Sequence, residues 1–295
     1  LFPQASFQCG PNPVADHAAL DESPEPSRAM ITALRLVLVA FIFLSVTLAL
    51  LPVQLIALWS RNDIRRRLPR WWHRIMAPMI GLKVEVIGTP ATDRPLMLAS
   101  NHVSWKDIVV LGAAADVVYV AKSEVRDWPV FGWLARLQRT VFVERDRKRT
   151  TGNQIDEMAR RLKADEIVVL FPEGTTSDGN RILPFKTSLF GAATAAIPEV
   201  PEKRVVVQPV AICYVGIQGM PMGRYHRPVA AWPGDVALGP HLLRVLKEGA
   251  LEVEVRFGEP VVFDGATNRK TAAKEVERRV ADLLAEGLAG RKRIG

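Results

Sequence analysis

The sequence predicts an α/β fold, in which a mostly parallel sheet is flanked by helices and preceded by an N-terminal membrane-anchoring helix. From residue 83 onward, short apolar strands alternate with helical patterns, as in sheets built from strand and helix units. Residues 36–59 form an uncharged apolar run, which as a helix would be about 36 Å long. The chain has 295 residues, 48% of them hydrophobic, enough to bury a core without covalent cross-links.

Composition excludes several classes of protein. Charged residues make up 24% of the chain and the formal net charge is +8, which argues against disordered and fibrous proteins. Cys9 lies in a polar stretch and Cys213 in an apolar run, so neither a disulfide framework nor a cysteine-ligated metal site is expected. Three partners commonly explain an excess of positive charge: nucleic acid, an anionic membrane or an acidic small molecule.

The first 59 residues divide into a tail and an anchor. Residues 1–29 are polar, acidic and contain several prolines, so we expect a disordered tail, with Met30 a credible start. Residues 30–59 are expected to form a transmembrane or re-entrant anchor helix, because the apolar run is long enough for a hydrocarbon core of about 30 Å. Pro52 and Gln54 leave the re-entrant form open. A buried core helix or a signal peptide is the alternative.

Arginines are concentrated directly after the apolar run, whereas only Arg28 and Arg35 lie close before it. By the positive-inside rule, the chain after Trp59 is expected to be cytoplasmic. Residues 60–82 are predicted to be a basic amphipathic segment on an anionic membrane surface, limited to a short helix by its two prolines. An ordinary amphipathic helix packed on the protein body is the alternative. The arginines are Arg61, Arg65, Arg66, Arg67, Arg70 and Arg74.

Residues 83–290 are predicted to form the α/β domain. The expected strands cover residues 84–87, 96–99, 117–121, 141–143, 167–171, 205–212 and 251–257. The expected helices cover residues 105–114, 130–137, 153–163, 188–196 and 271–288.

A histidine and an aspartate follow the second of these strands. His102 is expected in the turn after the strand and Asp107 in the first turn of the next helix, where α/β folds place ligands and catalytic groups. A histidine can take a proton from an alcohol, and an adjacent carboxylate can fix its tautomer and stabilise the imidazolium. Ser104 and Asp107 also match the capping box S-x-x-D, so a purely structural role for Asp107 is the alternative.

Two further candidate elements follow later strands. The loop after residue 171 carries Glu173, Gly174, Thr175 and Thr176, where a glycine permits close backbone approach and hydroxyl and N–H groups can hold an anion or a developing oxyanion. A polar turn is the alternative. Arg145 follows the strand 141–143 and can pair with a phosphate or carboxylate as a planar fork, although a surface ion pair is commoner at such a position.

Together these motifs resemble those of the glycerolipid acyltransferase family, which includes the bacterial 1-acylglycerol-3-phosphate acyltransferases. Four family elements occur in the family order between residues 61 and 262. They are N-H-x-x-x-x-D at Asn101, His102 and Asp107, F-x-x-R at Phe142 and Arg145, P-E-G-T at residues 172–175, and a proline-centred strand at residues 207–210.

The resemblance implies a reaction and a location. His102 would deprotonate the hydroxyl of a lyso-lipid acceptor, which attacks the thioester of acyl-carrier protein or acyl-CoA, while Asp107 orients the base. No cofactor is implied, and the catalytic domain would lie on the cytoplasmic side of the bacterial inner membrane. The implied substrate-binding residues are Arg145, Glu173, Gly174, Thr175, Thr176 and Lys186.

One position departs from the family pattern. Many members continue E-G-T-R-S, but Thr176 stands at the position of that arginine, which weakens the case for a glycerol phosphate acceptor. Residues 173–180, 183–186 and 232–235 look like those of the lyso-ornithine-lipid acyltransferase branch. The acceptor is therefore expected to be either 1-acylglycerol-3-phosphate or lyso-ornithine lipid.

Two other functions use the same features. A thioesterase would let water replace the lipid alcohol at His102, and a non-catalytic lipid-binding protein would use the anchor and the basic face alone. Nucleic-acid binding is disfavoured, because the arginine cluster adjoins an apolar run and the sequence has no helix-turn-helix, zinc-finger or aromatic RNA-binding motif.

Overall fold

The centre of the protein is a mixed β-sheet. A computed structural model describes residues 26–143, 151–232, 238–248 and 250–290. Within these ranges the sheet has nine strands: β1 Leu82–Ile87, β2 Leu96–Ser100, β3 Val117–Lys122, β4 Val141–Val143, β5 Ile167–Leu170, β6 Arg204–Ile217, β7 Met220–Pro221, β8 Leu251–Phe257 and β9 Val261–Asp264.

The strand order is β1-β8-β6-β2-β5-β3-β4, and β7 and β9 also pair with β6. The neighbours from β6 to β4 are parallel, as are β1 and β8. Strand β6 pairs antiparallel with β7, β8 and β9. The predicted fold class is therefore confirmed, and β1 runs opposite to β2.

Helices cover both faces of the sheet. The helices within the described ranges are α1 Pro26–Trp59, α2 Ile64–Met79, α3 Lys106–Ala114, α4 Phe131–Leu137, α5 Thr151–Lys163, α6 Gly191–Ala196, α7 Leu238–Glu248 and α8 Arg269–Leu288. Alternate residues of β2 point to opposite faces, as expected for a strand. Leu96 and Leu98 join the core beneath α2 and α3, whereas Met97 and Ala99 join the core beneath α5, α6 and α8.

Helix α1 is long and apolar. Its segment Met30–Trp59 is, by length and composition, a candidate membrane span, and many of its apolar side chains are exposed. Gln54 and Ala57 are its buried residues. Trp72 donates from Nε1 to Thr47 Oγ1 at 3.0 Å, and Gln54 donates from Nε2 to the Arg65 carbonyl at 3.2 Å. These contacts make α1 and α2 an antiparallel pair.

The prediction that two prolines limit the second segment to a short helix is wrong. Pro69 and Pro78 both lie inside the continuous 16-residue helix α2. Pro69 has no N–H to donate to the Arg65 carbonyl four residues earlier, and the Gln54 side chain donates to that carbonyl instead. A partner from α1 thus compensates for the hydrogen bond that the first proline removes.

One side of α2 packs on the protein body, which was the alternative interpretation of residues 60–82. Leu68, Met76 and Ala77 are buried against the body, whereas Trp71 and Ile75 on the same helix are exposed. The apolar residues of α2 therefore serve two surfaces, since some pack on the body and others face outward.

The substitution Gly112→Ala tests the contact between α2 and α3. A Cβ at this position would clash with the buried His73 ring, which is held by Gln138 at 2.6 Å. Although alanine is the better helix former, we expect overpacking to lower the free energy of unfolding by about 1–3 kcal/mol, measured by thermal unfolding. Gly223→Ala is the control, since an added Cβ there meets no atom within 4 Å. Equal effects of the two changes would contradict this packing.

Candidate active site

The turn that carries His102 is fixed to the sheet on its strand side by Asn101. The Asn101 side chain donates from Nδ2 to the Ile212 carbonyl at 3.0 Å and accepts from the Ile212 N–H at 2.8 Å. Because Ile212 belongs to β6, this amide joins the end of β2 to its neighbouring strand. The chain therefore leaves the sheet at a defined place, and His102 follows directly.

The Asp107 carboxylate gathers four donors. Its Oδ2 accepts from His102 Nδ1 at 2.8 Å. The same oxygen accepts from the backbone N–H groups of Val103 at 2.6 Å and Ser104 at 2.9 Å. Its Oδ1 accepts from the Tyr214 hydroxyl at 2.8 Å. The contact predicted between His102 and Asp107 is present, and Asp107 also holds the backbone at the start of α3, so the two roles considered for it coexist.

Tyr214 is a permanent donor to this carboxylate. Burial, and then the nearby charge of Asp107, raise the pKa of Tyr214 well above its ordinary value, so the hydroxyl keeps its proton. Asp107 itself is fully buried. Hydrogen bonds from all sides offset the cost of burying its charge and fix the direction of its oxygens.

His102 is held on two sides and open on a third. Its ring stacks on Phe171, with ring centroids 4.2 Å apart and planes 19° from parallel. With Nδ1 donating to Asp107, the lone pair lies on Nε2. The side chain is 20% exposed. The ring can therefore take a proton at Nε2 from a group that enters from outside.

The Glu173 side chain holds the backbone of the turn that carries His102. Its side chain is buried and accepts from the backbone N–H of His102 at 3.0 Å and of Leu183 at 3.2 Å. Ser177 donates its N–H to the His102 carbonyl at 2.8 Å. The loop of Glu173 therefore braces the His102 turn, and contact of Glu173 with substrate stays a prediction.

The other predicted binding residues have different surroundings. Gly174 has φ +74°, and a Cβ there would come within 2.7 Å of Lys186 Nζ, so only glycine leaves room for that ammonium. Thr175 is exposed. The Thr176 hydroxyl donates to the Trp232 carbonyl at 2.6 Å. Arg145 lies outside the described residues.

The comparison with known proteins identifies the family. Residues 83–213 match the family model described as Acyltransferase. The chain is 58% identical over 264 residues to the lyso-ornithine lipid O-acyltransferase of Rhizobium meliloti, covering 90% of both chains. It is 54% identical over 263 residues to the lyso-ornithine lipid O-acyltransferase of Brucella abortus, covering 89% of this chain and 98% of that one. The chain belongs to the acyltransferase family.

The fold of this O-acyltransferase also resembles a solved structure. The crystal structure of the 1-acyl-sn-glycerophosphate acyltransferase of Thermotoga maritima superposes with a TM-score of 0.63 at 23% sequence identity. The match covers 90% of this chain and 98% of that one. At this identity the likeness concerns the fold.

Two residues of the candidate site were not found from the sequence. Tyr214 lies within a continuous apolar run, and nothing local connects it to Asp107, more than one hundred residues away. Lys106 is a fully buried lysine whose Nζ donates to the Ala230 carbonyl at 2.9 Å. A lysine next to an aspartate usually indicates an exposed position, so no sequence signal marked Lys106 as a core residue.

Glu173→Gln gives a pH-dependent prediction. Burial, although opposed by the N–H donors of His102 and Leu183, raises the pKa of Glu173 to about 8. Protonated Glu173 therefore stabilises the wild type. This stabilisation is complete at a pH below the pKa of Glu173 in the unfolded chain and is lost as pH rises towards 8, by at most about 1.4 kcal/mol per pH unit. A glutamine at this position does not titrate, so it adds no stability at low pH. Its side-chain NH2 group would also face one of the two backbone N–H donors. We expect its deficit in unfolding temperature to be largest near pH 5 and to shrink towards pH 8.

The exposed Glu124→Gln provides the matched control, for which we expect no such trend. A deficit for Glu173→Gln that stays constant from pH 5 to pH 8 would contradict a raised pKa at this carboxyl.

Proposed function

We propose that this O-acyltransferase moves a fatty acyl chain from an acyl-carrier protein or CoA thioester to the hydroxyl of lyso-ornithine lipid, at the cytoplasmic face of the bacterial inner membrane. The observation that carries the chemistry is the His102 ring, oriented by a buried carboxylate and open at Nε2. The lyso-ornithine lipid O-acyltransferases with 58% and 54% identity support the choice of acceptor.

The proposed step is a direct transfer. The acceptor hydroxyl gives its proton to His102 Nε2 while its oxygen attacks the thioester carbonyl. The tetrahedral intermediate then collapses, the carbon–sulfur bond breaks, and the imidazolium returns the proton to the leaving thiolate. Asp107 stabilises the imidazolium between these two events. The reaction needs only the two substrates and residues of this chain.

The oxyanion of the intermediate needs a donor near the thioester carbonyl. We propose Lys186 for this role, because its ammonium lies against Gly174 in the loop that also braces His102. Gly174 lets that cation approach the backbone closely. Thr175 in the same loop is exposed and offers a hydroxyl to a polar group of either substrate.

The topology places His102 at one edge of the sheet together with the end of α2. Strand β2 ends at this edge, with Ser100 paired to Val210 of β6. Strand β6 continues past that level to Ile217, which pairs with Leu251, and Leu251 pairs with Leu82 at the start of β1. Since β1 runs opposite to β2 and directly follows α2, the carboxyl end of α2 lies at the His102 edge.

The anchor extends from the same edge. In the antiparallel pair, Thr47 lies opposite Trp72 and Gln54 opposite Arg65. Extending this register places Met79, the end of α2, opposite Ala40. Residues 26–39 then project past α2 by about 21 Å, at about 1.5 Å per residue. We propose that this segment enters the membrane and that the later part of α1 stays with the body, which brings His102 towards the lipid acceptor.

Substitution of the catalytic pair tests the chemistry. In an assay of purified protein with thioester donor and lyso-ornithine lipid, we expect His102→Ala to lower the transfer rate about 10²–10⁴-fold, as general-base loss does. Asp107→Asn can keep an oxygen for His102, Val103 and Ser104 but loses its charge. We therefore expect a comparable loss of transfer with only a small loss of thermal stability.

The exposed Asp282→Asn serves as control and is expected to keep wild-type transfer. Wild-type-like transfer by His102→Ala would refute the mechanism. Hydrolysis of the thioester by the wild-type protein, without transfer to the lipid, would instead favour a thioesterase.

A second prediction concerns the anchor. Leu34 and Val37 are 68% and 66% exposed, and an aspartate at such a position costs about 3 kcal/mol in a bilayer. The double change Leu34→Asp with Val37→Asp should therefore abolish flotation with lipid vesicles, while transfer to detergent-dispersed acceptor is retained. Val262→Asp is the control, since it is 45% exposed on β9, beside the amino end of β6 at the opposite edge. Unchanged flotation of the double variant would contradict the proposed insertion.

A further inference from the structure

A charged cavity adjoins the catalytic turn. Its volume is about 480 Å³, and it is lined by Asp178, Asn180, Arg181, Arg224 and Arg227, with Leu288 of α8 as an apolar wall. The loop that forms it is fastened to the active site, because Ser177 donates its N–H to the His102 carbonyl. Gly179 packs so closely on Val103 that an added Cβ would lie 3.2 Å from the valine side chain.

The polar groups of this cavity are preorganised. Asn180 donates from its backbone N–H to one oxygen of Asp178 at 3.0 Å and from its side chain to the other at 3.2 Å. The same side-chain amide donates to the Arg224 carbonyl at 3.2 Å, and its oxygen accepts from Arg227. Asn180 thus fixes the Asp178 carboxylate relative to the loop that carries Arg224 and Arg227.

The cavity is also connected to the catalytic pair. Arg227 is buried and donates from Nε to the Tyr214 carbonyl at 3.2 Å and from Nη2 to the Met222 carbonyl at 2.8 Å. Tyr214 is the residue whose hydroxyl binds Asp107. A continuous path through Asn180, Arg227 and Tyr214 therefore joins Asp178 to Asp107.

The charges that face the cavity have both signs. Arg227 is occupied by three acceptors of the protein itself, whereas Arg181 and Arg224 are exposed. Partial burial disfavours the charged form of Asp178, but the Asn180 donors and the charges of Arg181 and Arg224 outweigh it and lower its pKa. The cavity therefore offers one anionic and two cationic groups, which complement a ligand carrying an ammonium and a carboxylate better than a phosphate dianion.

We propose that this cavity binds the zwitterionic headgroup of the acceptor, with Asp178 contacting the ornithine ammonium and Arg224 the carboxylate. The assignment rests on the proposed function and extends it to the residues that select the acceptor. Asn180 is a positioning residue for Asp178, and the link through Gly179 and Val103 sets the headgroup at a fixed place beside His102.

The test compares two acceptors in two proteins. One acceptor is lyso-ornithine lipid, and the other carries norvaline instead of ornithine, which keeps the carboxylate and lacks the ammonium. We expect wild type to prefer the ornithine acceptor by about tenfold or more in kcat/KM, the effect of one hydrogen-bonded charge. Asp178→Asn should reduce this preference to within about twofold by raising KM for the ornithine acceptor alone.

A second variant tests the carboxylate contact independently. Arg224→Gln should lower kcat/KM for both acceptors by about tenfold, since both carry the carboxylate. Asp282→Asn on the exposed side of α8 is the matched control and should keep the wild-type preference.

The possible failures are distinguishable. If wild type prefers the ornithine acceptor and Asp178→Asn keeps that preference, the cavity assignment is overturned and the proposed function stands. If wild type acylates 1-acylglycerol-3-phosphate and neither aminoacyl acceptor, the proposed acceptor and the cavity assignment fail together.

Discussion

The site depends on one buried carboxylate. Asp107 is enclosed by four donors, two from the backbone, one from His102 and one from Tyr214. An ionised carboxylate without such partners would be expensive to bury, so each donor is needed to keep the others in place. The same contacts begin α3, orient the imidazole and join the turn after β2 to β6. The helix cap and the contact with His102 are therefore made by one carboxylate, and the folded chain does not choose between them.

A second constraint is the direction of β1. In a purely parallel sheet, a segment that precedes the first strand would approach from the edge opposite to the catalytic turn. Here β1 pairs parallel to β8, which is antiparallel to β6, and so the chain enters β1 from the His102 edge. The antiparallel part of the sheet thus brings α2, and with it the projecting part of α1, to the side where the histidine is open.

The sequence predicted the parts of this structure that depend on local pattern. The strands that line the site, the turn at His102 and the helix at Lys106 lie where alternation and capping signals placed them. Strands β7 and β9 are two and four residues long and exist through pairing with β6, and α7 carries apolar residues at helical spacing in a segment that also contains Gly239 and Pro240; none of the three was predicted. The substrate role expected of Glu173 came from its P-E-G-T motif, whereas the backbone N–H groups that bind its carboxyl come together only in the folded chain. Helix α2 was predicted to be too short, because the effect of proline was considered within a single helix, whereas the donor that compensates for Pro69 belongs to α1.

That donor, Gln54, has a mechanical consequence. It joins α1 to the first turn of α2 through the Arg65 carbonyl and to the end of α4 through the Leu137 carbonyl, the latter at 2.7 Å. A helix attached to the body by the chain alone could adopt many angles relative to it. With three helices bound at one side chain, α1 has a defined angle to the body. Under the proposed membrane insertion, that angle also sets the orientation of the body at the membrane surface, which a flexible tether of equal affinity would not do.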